Sequence, residues 1–318
     1  MINQKHIPSL DLNDFIGKDI NKKTKFVQQL GEAYEAIGFI ALKNHGLSDS
    51  TRDSLYNEVQ SFFNLPLDKK LNYEKPELNG QRGYISFGRE KAKGYQQSDL
   101  KEFWHFGQTL EKDDPLFDEY EPNVHCNELP IFNEVGRETF LTLEKTGIHI
   151  LRALALHLNL DENYFDKKVK GGNSILRAIH YPPIQTEPKG AVRAAAHGDI
   201  NLITILMGAS ASGLEIKTRK GDWIAVTALP EQVVINIGDM MSRLTNDKLH
   251  SSIHQVVNPP RSEWGKPRFS IPFFMHPRSD MSLNCLEGCV SEKNIKKYED
   301  IHAGEFLNER IKELGLKK

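Results

Sequence analysis

The sequence predicts a mainly β fold wrapped in helices, and two observations predict it. From about residue 173 the chain becomes a succession of short β-branched runs: "SILRAIHYPP", "NLITILM", "GLEIKT", "DWIAVTA", "QVVINIGD", "SSIHQVVNPP" and "RFSIPFFMHP". Turn signals rather than helices separate them, which implies an antiparallel sandwich or barrel and not a parallel sheet. Before that point, apolar residues recur mostly at helical spacing. No internal repeat, low-complexity stretch or Pro/Gly linker interrupts the 318 residues. One domain is therefore expected, with a mostly helical region over 1–172, a β core over 173–280 and a tail over 281–318.

The elements follow in order. "KTKFVQQLGEAYEAIGFI" places Phe26, Leu30, Ala33, Tyr34 and Ile37 at helical spacing. In "SDSTRDSLYNEVQSFFNLP", Ser50 reads as the helix cap with Asp53 three residues on, and Pro66 as the stop. Between these helices, "GFIALKNHG" reads as a short apolar strand closed by Gly46. A loop-rich stretch runs from about 74 to 127, and "LPIFNEVGRETFLTLEKTGIHILRALALHLNL" then forms one long amphipathic helix or two joined ones. Lys220-Gly221-Asp222 suits a tight hairpin, and "GEFLNERIKELGLKK" returns to helix.

Composition excludes several function classes. The 41 basic residues nearly balance the 43 acidic ones, which argues against a dedicated nucleic-acid binder. No apolar run approaches the ~20 residues of a membrane span. The start, "MINQKHIPSLDLND", lacks the apolar core of a signal peptide. Cys126, Cys285 and Cys289 form neither a disulfide framework nor a spaced zinc pattern. The chain reads as cytoplasmic, with a small molecule as its expected partner.

The chemistry-bearing stretch is "AAAHGDINLITIL", residues 194–206. On a strand, side chains alternate with period two, so His197 and Asp199 point the same way with Gly198 between them. Taken alone, such a pair reads as a buried histidine satisfied by a carboxylate. Downstream, "HSSIHQVVNPP" supplies His254 in a β-branched run, with His250 at an even offset from it. Two histidines and one carboxylate on one face of an iron leave three positions open, the pattern of non-haem Fe(II) oxygenases. Fourteen residues past His254 comes "RFS", where Arg268 and Ser270 share a strand face. A planar guanidinium beside a hydroxyl suits a carboxylate.

The order His-x-Asp, His, Arg-x-Ser resembles the iron(II)/2-oxoglutarate oxygenases of the isopenicillin N synthase-like superfamily. "GFIALKNHG", "RGYISFGREKAKG", "DLKEFWHFG", "ILRAIHYPP", "VVINIGDMMSRLTNDKLHSSIHQVVNP" and "RFSIPFFMHP" carry the resemblance over almost the whole chain. It implies a double-stranded β-helix (jelly-roll) core with the N-terminal and long central helices packed on it. It also implies Fe(II) held by His197, Asp199 and His254, and it alone selects His254 over His250. The co-substrates it implies are 2-oxoglutarate, its far carboxylate on Arg268 and Ser270 with Tyr181 near its carboxylates, and O2. The implied reaction oxidises a C–H bond of a small molecule, by hydroxylation or desaturation, and releases succinate and CO2. No catalytic residue beyond the metal site is expected. Halogenating relatives replace the carboxylate by a small residue, whereas Asp199 is retained here. Three family tendencies are broken, at Gln255 after the distal histidine, at His250 four residues before it, and at Gly198 within His-x-Asp; all lie outside the ligand set.

Arg82, Tyr84, Phe103 and His105 fall in loops that wall the substrate site in this family, and otherwise read as loop anchors. Arg177, on the strand face of Tyr181, either lines the pocket or pairs with a carboxylate. Phe273 completes the candidate substrate wall. His180 faces the other side of its strand, and His45 and Asp239 read as turn residues. Two alternatives stay open from the residues. One is an oxidase like isopenicillin N synthase itself, which keeps Arg-x-Ser without using 2-oxoglutarate. The other is a non-catalytic jelly-roll binding module.

Overall fold

The structure, a computed structural model, describes residues 7–90, 97–208, 212–226, 229 and 231–313. The "KAKG" end of one middle motif (91–94), the end of "DWIAVTA" (227–228) and the last five residues of "GEFLNERIKELGLKK" (314–318) lie outside them. The strands are β1 (Ser9–Asp11), β2 (Phe39–Lys43), β3 (Gly83–Ile85), β4 (Glu102–Gly107), β5 (Ile175–Tyr181), β6 (Ala194–His197), β7 (Ile203–Met207), β8 (Leu214–Lys217), β9 (Trp223–Ala225), β10 (Val233–Ile237), β11 (His254–Val256) and β12 (Arg268–Met275). The helices are α1 (Leu12–Ile16), α2 (Ile20–Ala36), α3 (Asp49–Phe63), α4 (Leu67–Leu71), α5 (Pro130–His157), α6 (Asp166–Val169), α7 (Asp239–Leu244) and α8 (Ala303–Glu313).

Two sheets face each other. The larger runs β1-β2-β10-β7-β12-β5-β4-β3 and the smaller β6-β11-β8-β9. Only the β1–β2 pair is parallel among the described strands; all other pairs are antiparallel. A narrow cavity lies between their inner faces, walled by Tyr181, Leu206 and Arg268 on one side and Leu214 and Val256 on the other. This is the jelly-roll sandwich expected from the resemblance.

The outer face of the larger sheet carries α5, a single helix of 28 residues. Phe140 on α5 meets Phe273 edge-on at 5.0 Å. Strand alternation settles what β12 offers to each side. Arg268, Ser270, Pro272 and Phe274 face the cavity, while Phe269, Ile271, Phe273 and Met275 join the helical core. Phe273 therefore packs against α5 and does not line the cavity, contrary to its expected place in a substrate wall; its neighbour Phe274 lines the cavity instead.

The N-terminal region is less purely helical than its sequence suggests, because four strands of the larger sheet come from it. The six residues of β4 are all buried and show no alternation, so periodicity could not mark them. The cap of α3 is Ser48, whose Oγ accepts from the Thr51 amide at 3.1 Å, and not Ser50, which lies within the first turn. At the far end, α8 is anchored by the Gly304 amide donating to the Ser279 carbonyl at 3.0 Å, with Phe306 and Ile311 buried.

Two buried clusters join β3 and β4 to the helices. In the first, Phe62 lies 4.8 Å from Trp104, 5.2 Å from Phe132 and 5.8 Å from Tyr84. In the second, Glu102 accepts from Lys70 Nζ at 2.9 Å, from His180 Nδ1 at 2.7 Å and from the Tyr84 hydroxyl. Tyr84 is thus consumed by a structural hydrogen bond and, like the outward-facing His180, stands apart from the cavity. Burial pushes the Glu102 pKa up, but the hydrogen bonds from His180, Tyr84 and Lys70 outweigh it and hold the carboxyl below its ordinary value.

Each cluster predicts a stability effect. Phe62→Ala empties the centre of a ring cluster and should cost about 3–5 kcal/mol in a urea melt. Glu102→Gln strands the buried Lys70 ammonium and should cost about 3–5 kcal/mol at neutral pH. Because the folded pKa of Glu102 is depressed, its contribution is present above the unfolded value near 4.5 and is lost as pH falls below it. The gap between wild type and Glu102→Gln should therefore narrow on acidification below about pH 4.5, as read from melts at stepped pH.

Candidate metal centre

The site begins with register. His254 on β11 pairs directly with His197 on β6, which brings the two rings to 4.5 Å between centroids. Each ring is oriented by its own backbone. Nδ1 of His197 lies 2.7 Å from the Ala195 carbonyl, and Nδ1 of His254 lies 3.2 Å from the Ser252 carbonyl. A carbonyl can only accept, so each Nδ1 carries a proton and each Nε2 is the nitrogen left to face a metal. Burial, then the neighbouring His254, lowers the His197 pKa to about 4, against the pull of Asp199, and so keeps the ring neutral and able to coordinate.

Asp199 lies just past the end of β6, so the turn after His197, and not strand alternation alone, aims it. Its Oδ2 accepts from Thr204 Oγ1 at 2.6 Å and from Asn236 Nδ2 at 2.8 Å. Its Oδ1 faces the histidines, 3.6 Å from His254 Nε2 and 4.0 Å from His197 Nε2. Burial raises the carboxyl pKa, but His254, His197, Asn236 and Thr204 together hold it below the usual range. Gly198 is explained by its neighbours. A Cβ there would stand 2.9 Å from Asp239 Oδ1, and the Asp239 amide donates to the Asp199 carbonyl at 2.7 Å.

One ligand atom from each of His197, Asp199 and His254 lies within 4.8 Å of the others. Two imidazoles and one carboxylate converging from one side fit a non-haem Fe(II) centre with positions left open. The cluster stands at the junction of two cavities, since His197 and Asp199 line both. The inner one, about 70 Å³, holds Arg268 and Ser270, which are 1% and 4% exposed. The Arg268 guanidinium lies 5.0 Å over the Tyr181 ring, its strand partner. A dry guanidinium beside a hydroxyl favours a carboxylate group.

The outer cavity is about 230 Å³ and is lined by His105, Arg177, Phe274 and His276, with Leu307 and Ile311 of α8. Arg177 does both things the sequence allows. It lines the cavity and also reaches Glu90 at 3.1 Å, while its Nε donates to His105 Nε2 at 2.6 Å. His105 Nδ1 in turn donates to the Gly80 carbonyl at 3.0 Å, and burial, with Arg177 and Arg82 nearby, pushes the His105 pKa well down. Phe103 serves from behind, its ring 4.2 Å under the Arg177 guanidinium.

Arg82 is not brought to the cavity. It is buried and bonds Gln108 Oε1 at 2.6 Å and Asn173 Oδ1 at 3.0 Å. His250 lines a separate outer groove, with its amide donating to the Tyr34 carbonyl at 3.0 Å. Sequence reasoning missed Glu90, Asp99, Lys101, Thr204, Asn236 and His276. Asp99 and Lys101 share a face by period two in "SDLKEF", a pattern too common to single out. Lys101 bridges Glu90 at 2.7 Å and Asp99 at 2.8 Å, and Asp99 accepts from the Ala195 amide at 3.1 Å, two residues before His197.

Comparison with known proteins agrees with this geometry. Residues 7–130 match the family model of the non-haem dioxygenase in morphine synthesis N-terminal region, and residues 172–277 match that of the 2OG-Fe(II) oxygenase superfamily. The chain is 31% identical to the proline hydroxylase buaE of Petromyces alliaceus, covering 96% of this chain and 98% of that protein. Among solved structures, a 2OG-Fe(II) oxygenase family protein from Caulobacter crescentus is 41% identical with a TM-score of 0.87, over 96% of this chain and 98% of the other. A full-length Neurospora crassa protein, solved in complex with alpha-KG and thymine, is 32% identical with a TM-score of 0.84, over 98% of both chains. The non-catalytic and 2-oxoglutarate-independent alternatives fall away, and the chain belongs to the 2OG-Fe(II) oxygenase superfamily as an iron(II)- and 2-oxoglutarate-dependent dioxygenase.

Proposed function

We propose that His197 Nε2, His254 Nε2 and Asp199 Oδ1 hold the Fe(II), and that the inner cavity takes 2-oxoglutarate with its far carboxylate on Arg268 and Ser270. The convergence of three donor atoms at the junction of two cavities carries this reading. When bound, iron and 2-oxoglutarate supply the oxidising power, with O2 and 2-oxoglutarate going to succinate and CO2 as a substrate C–H bond is oxidised. The protein positions and excludes water. Thr204 and Asn236 fix one carboxylate oxygen so that the other stays aimed at the metal position. Tyr181 stacks under Arg268 and orients the guanidinium. Leu206, Leu214 and Val256 keep the inner cavity apolar between its two polar ends.

The outer cavity is the substrate site in this reading, and its outcome is hydroxylation or desaturation of a small molecule. The Neurospora crassa relative was solved with thymine, and an uncharged molecule of that size suits a cavity of about 230 Å³. Cytoplasmic residence belongs to the same reading, supported by free Cys126, Cys285 and Cys289. No described helix is long and apolar enough to cross a membrane.

Anaerobic titration tests the assignment. Adding 2-oxoglutarate to the iron-loaded protein should produce the weak visible charge-transfer band of a chelated keto acid, and turnover should release succinate. Asp199→Ala should lower iron content on metal analysis and end turnover; full activity would remove Asp199 from the ligand set. Loss of iron from His250→Ala but not from His254→Ala would show the distal ligand to be wrong.

Arg268→Ala should raise the 2-oxoglutarate concentration needed for half the band by at least about tenfold, since a hydrogen bond to a charged group contributes roughly 1.5–3 kcal/mol. Iron content should stay unchanged. Arg268→Lys should fall between the two, because a point charge does not reproduce the fork. Ser270→Ala should act in the same direction more mildly.

A further inference from the structure

The cations lining the outer cavity each have a carboxylate partner on its wall. Lys101 faces Glu90 and Asp99 at 2.7 and 2.8 Å, Arg177 faces Glu90 at 3.1 Å, and Arg310 faces Glu313 at 2.9 Å. Every described cation on the wall thus has a carboxylate beside it. At Lys101 and Arg177 a substrate carboxylate would have to displace one of these partners in a nearly dry part of the wall, at the cost of stranding a charge. An uncharged molecule displaces nothing. Ile175, Ile200, Phe274, Leu307 and Ile311 supply apolar surface for its hydrocarbon part.

The two non-ligand histidines of the wall differ in what they have left to offer. His105 is fully engaged, accepting from Arg177 at Nε2 and donating to Gly80 at Nδ1. His276 has a buried Nδ1 with no hydrogen-bond partner among the described residues. Its backbone is pinned, with the His276 amide donating to Ser174 Oγ at 3.2 Å, so the ring is held at the cavity wall. Burial pushes its pKa down to about 4, with Asp199 pulling up and Arg82 and Arg177 pulling down, so the ring is neutral. A neutral imidazole carries one proton, and a buried unpaired N–H is rarer in proteins than an unsatisfied acceptor. The proton therefore belongs on Nε2, which makes that nitrogen a donor.

We propose that His276 is a substrate-recognition residue: its ring donates a hydrogen bond to a neutral carbonyl oxygen, so that the outer cavity selects small uncharged carbonyl compounds over carboxylates. This rests on the outer cavity being the substrate site of the oxygenase.

Titration calorimetry under anaerobic conditions on enzyme loaded with Fe(II) and 2-oxoglutarate tests it. The probes are uracil, 2-pyridone and δ-valerolactam, with orotate as the carboxylate-bearing counterpart of uracil. Wild type should bind at least one neutral probe, and orotate at least about tenfold more weakly than uracil. His276→Leu should weaken the neutral probe at least about threefold, the loss of one uncharged hydrogen bond. His276→Gln, which keeps a donor at similar reach, should bind within about twofold of wild type. If His276→Leu does not fold, His276→Phe keeps a ring without its nitrogens and carries the same expectation. Orotate binding as well as uracil, equal binding by wild type and the apolar variant, or no binding of any neutral probe overturns the proposal. Failure of the underlying reading shows earlier and separately, as the absence of the 2-oxoglutarate band before any probe is added.

Discussion

A nearly dry, ionised carboxylate is the constraint around which this fold is arranged. Asp199 is 6% exposed, and a charge so placed is costly unless its oxygens are satisfied. Thr204 and Asn236 satisfy one oxygen, and they are directly paired across β7 and β10. A slip of one residue in that ladder would turn one of the two donors toward the helical face and leave the carboxylate unsupported. The same logic holds for the histidines, which meet because β11 and β6 pair at His254 and His197. Strand register and metal geometry are thus one property of the sandwich.

The two cavities divide the chemistry between them. The inner one is small and enclosed by both sheets, with Arg268 and Ser270 at one end, Asp199 and the two histidines at the other, and apolar side chains between. The outer one is larger, and a buried network of Glu90, Lys101, Asp99 and Arg177 stiffens one side of its wall. Through Asp99 and the Ala195 amide, that network also reaches the strand that carries His197. The wall of the outer cavity and His197 therefore share a support.

The sequence made the antiparallel core and the triad legible because both rest on local pattern. Short β-branched runs between turns announce strands, and His-x-Asp with a distal histidine and Arg-x-Ser is a dense signal. Period two also placed Arg268 and Ser270 correctly on one face, and separated His180 from Tyr181. What stayed hidden depended on pairing partners far away in the chain. β4 is buried on both sides and so lacks alternation, Tyr84 is claimed by Glu102, and Arg82 by Gln108 and Asn173. Phe273 and Phe274 are adjacent aromatics, and only the position of α5 tells which one packs outward. His276 follows the end of β12, where strand alternation no longer predicts direction.

The C-terminal helix has a consequence for how such an enzyme diversifies. α8 lends Leu307 and Ile311 to the outer cavity but contributes nothing to the inner one or to the triad. Its buried Ala303 and Phe306 dock it on the core, and Leu307 and Ile311 reach the cavity from that fixed base. Part of the outer cavity's wall thus sits on a piece of polypeptide separate from the triad, and a change of side chain at Leu307 or Ile311 reshapes that part alone.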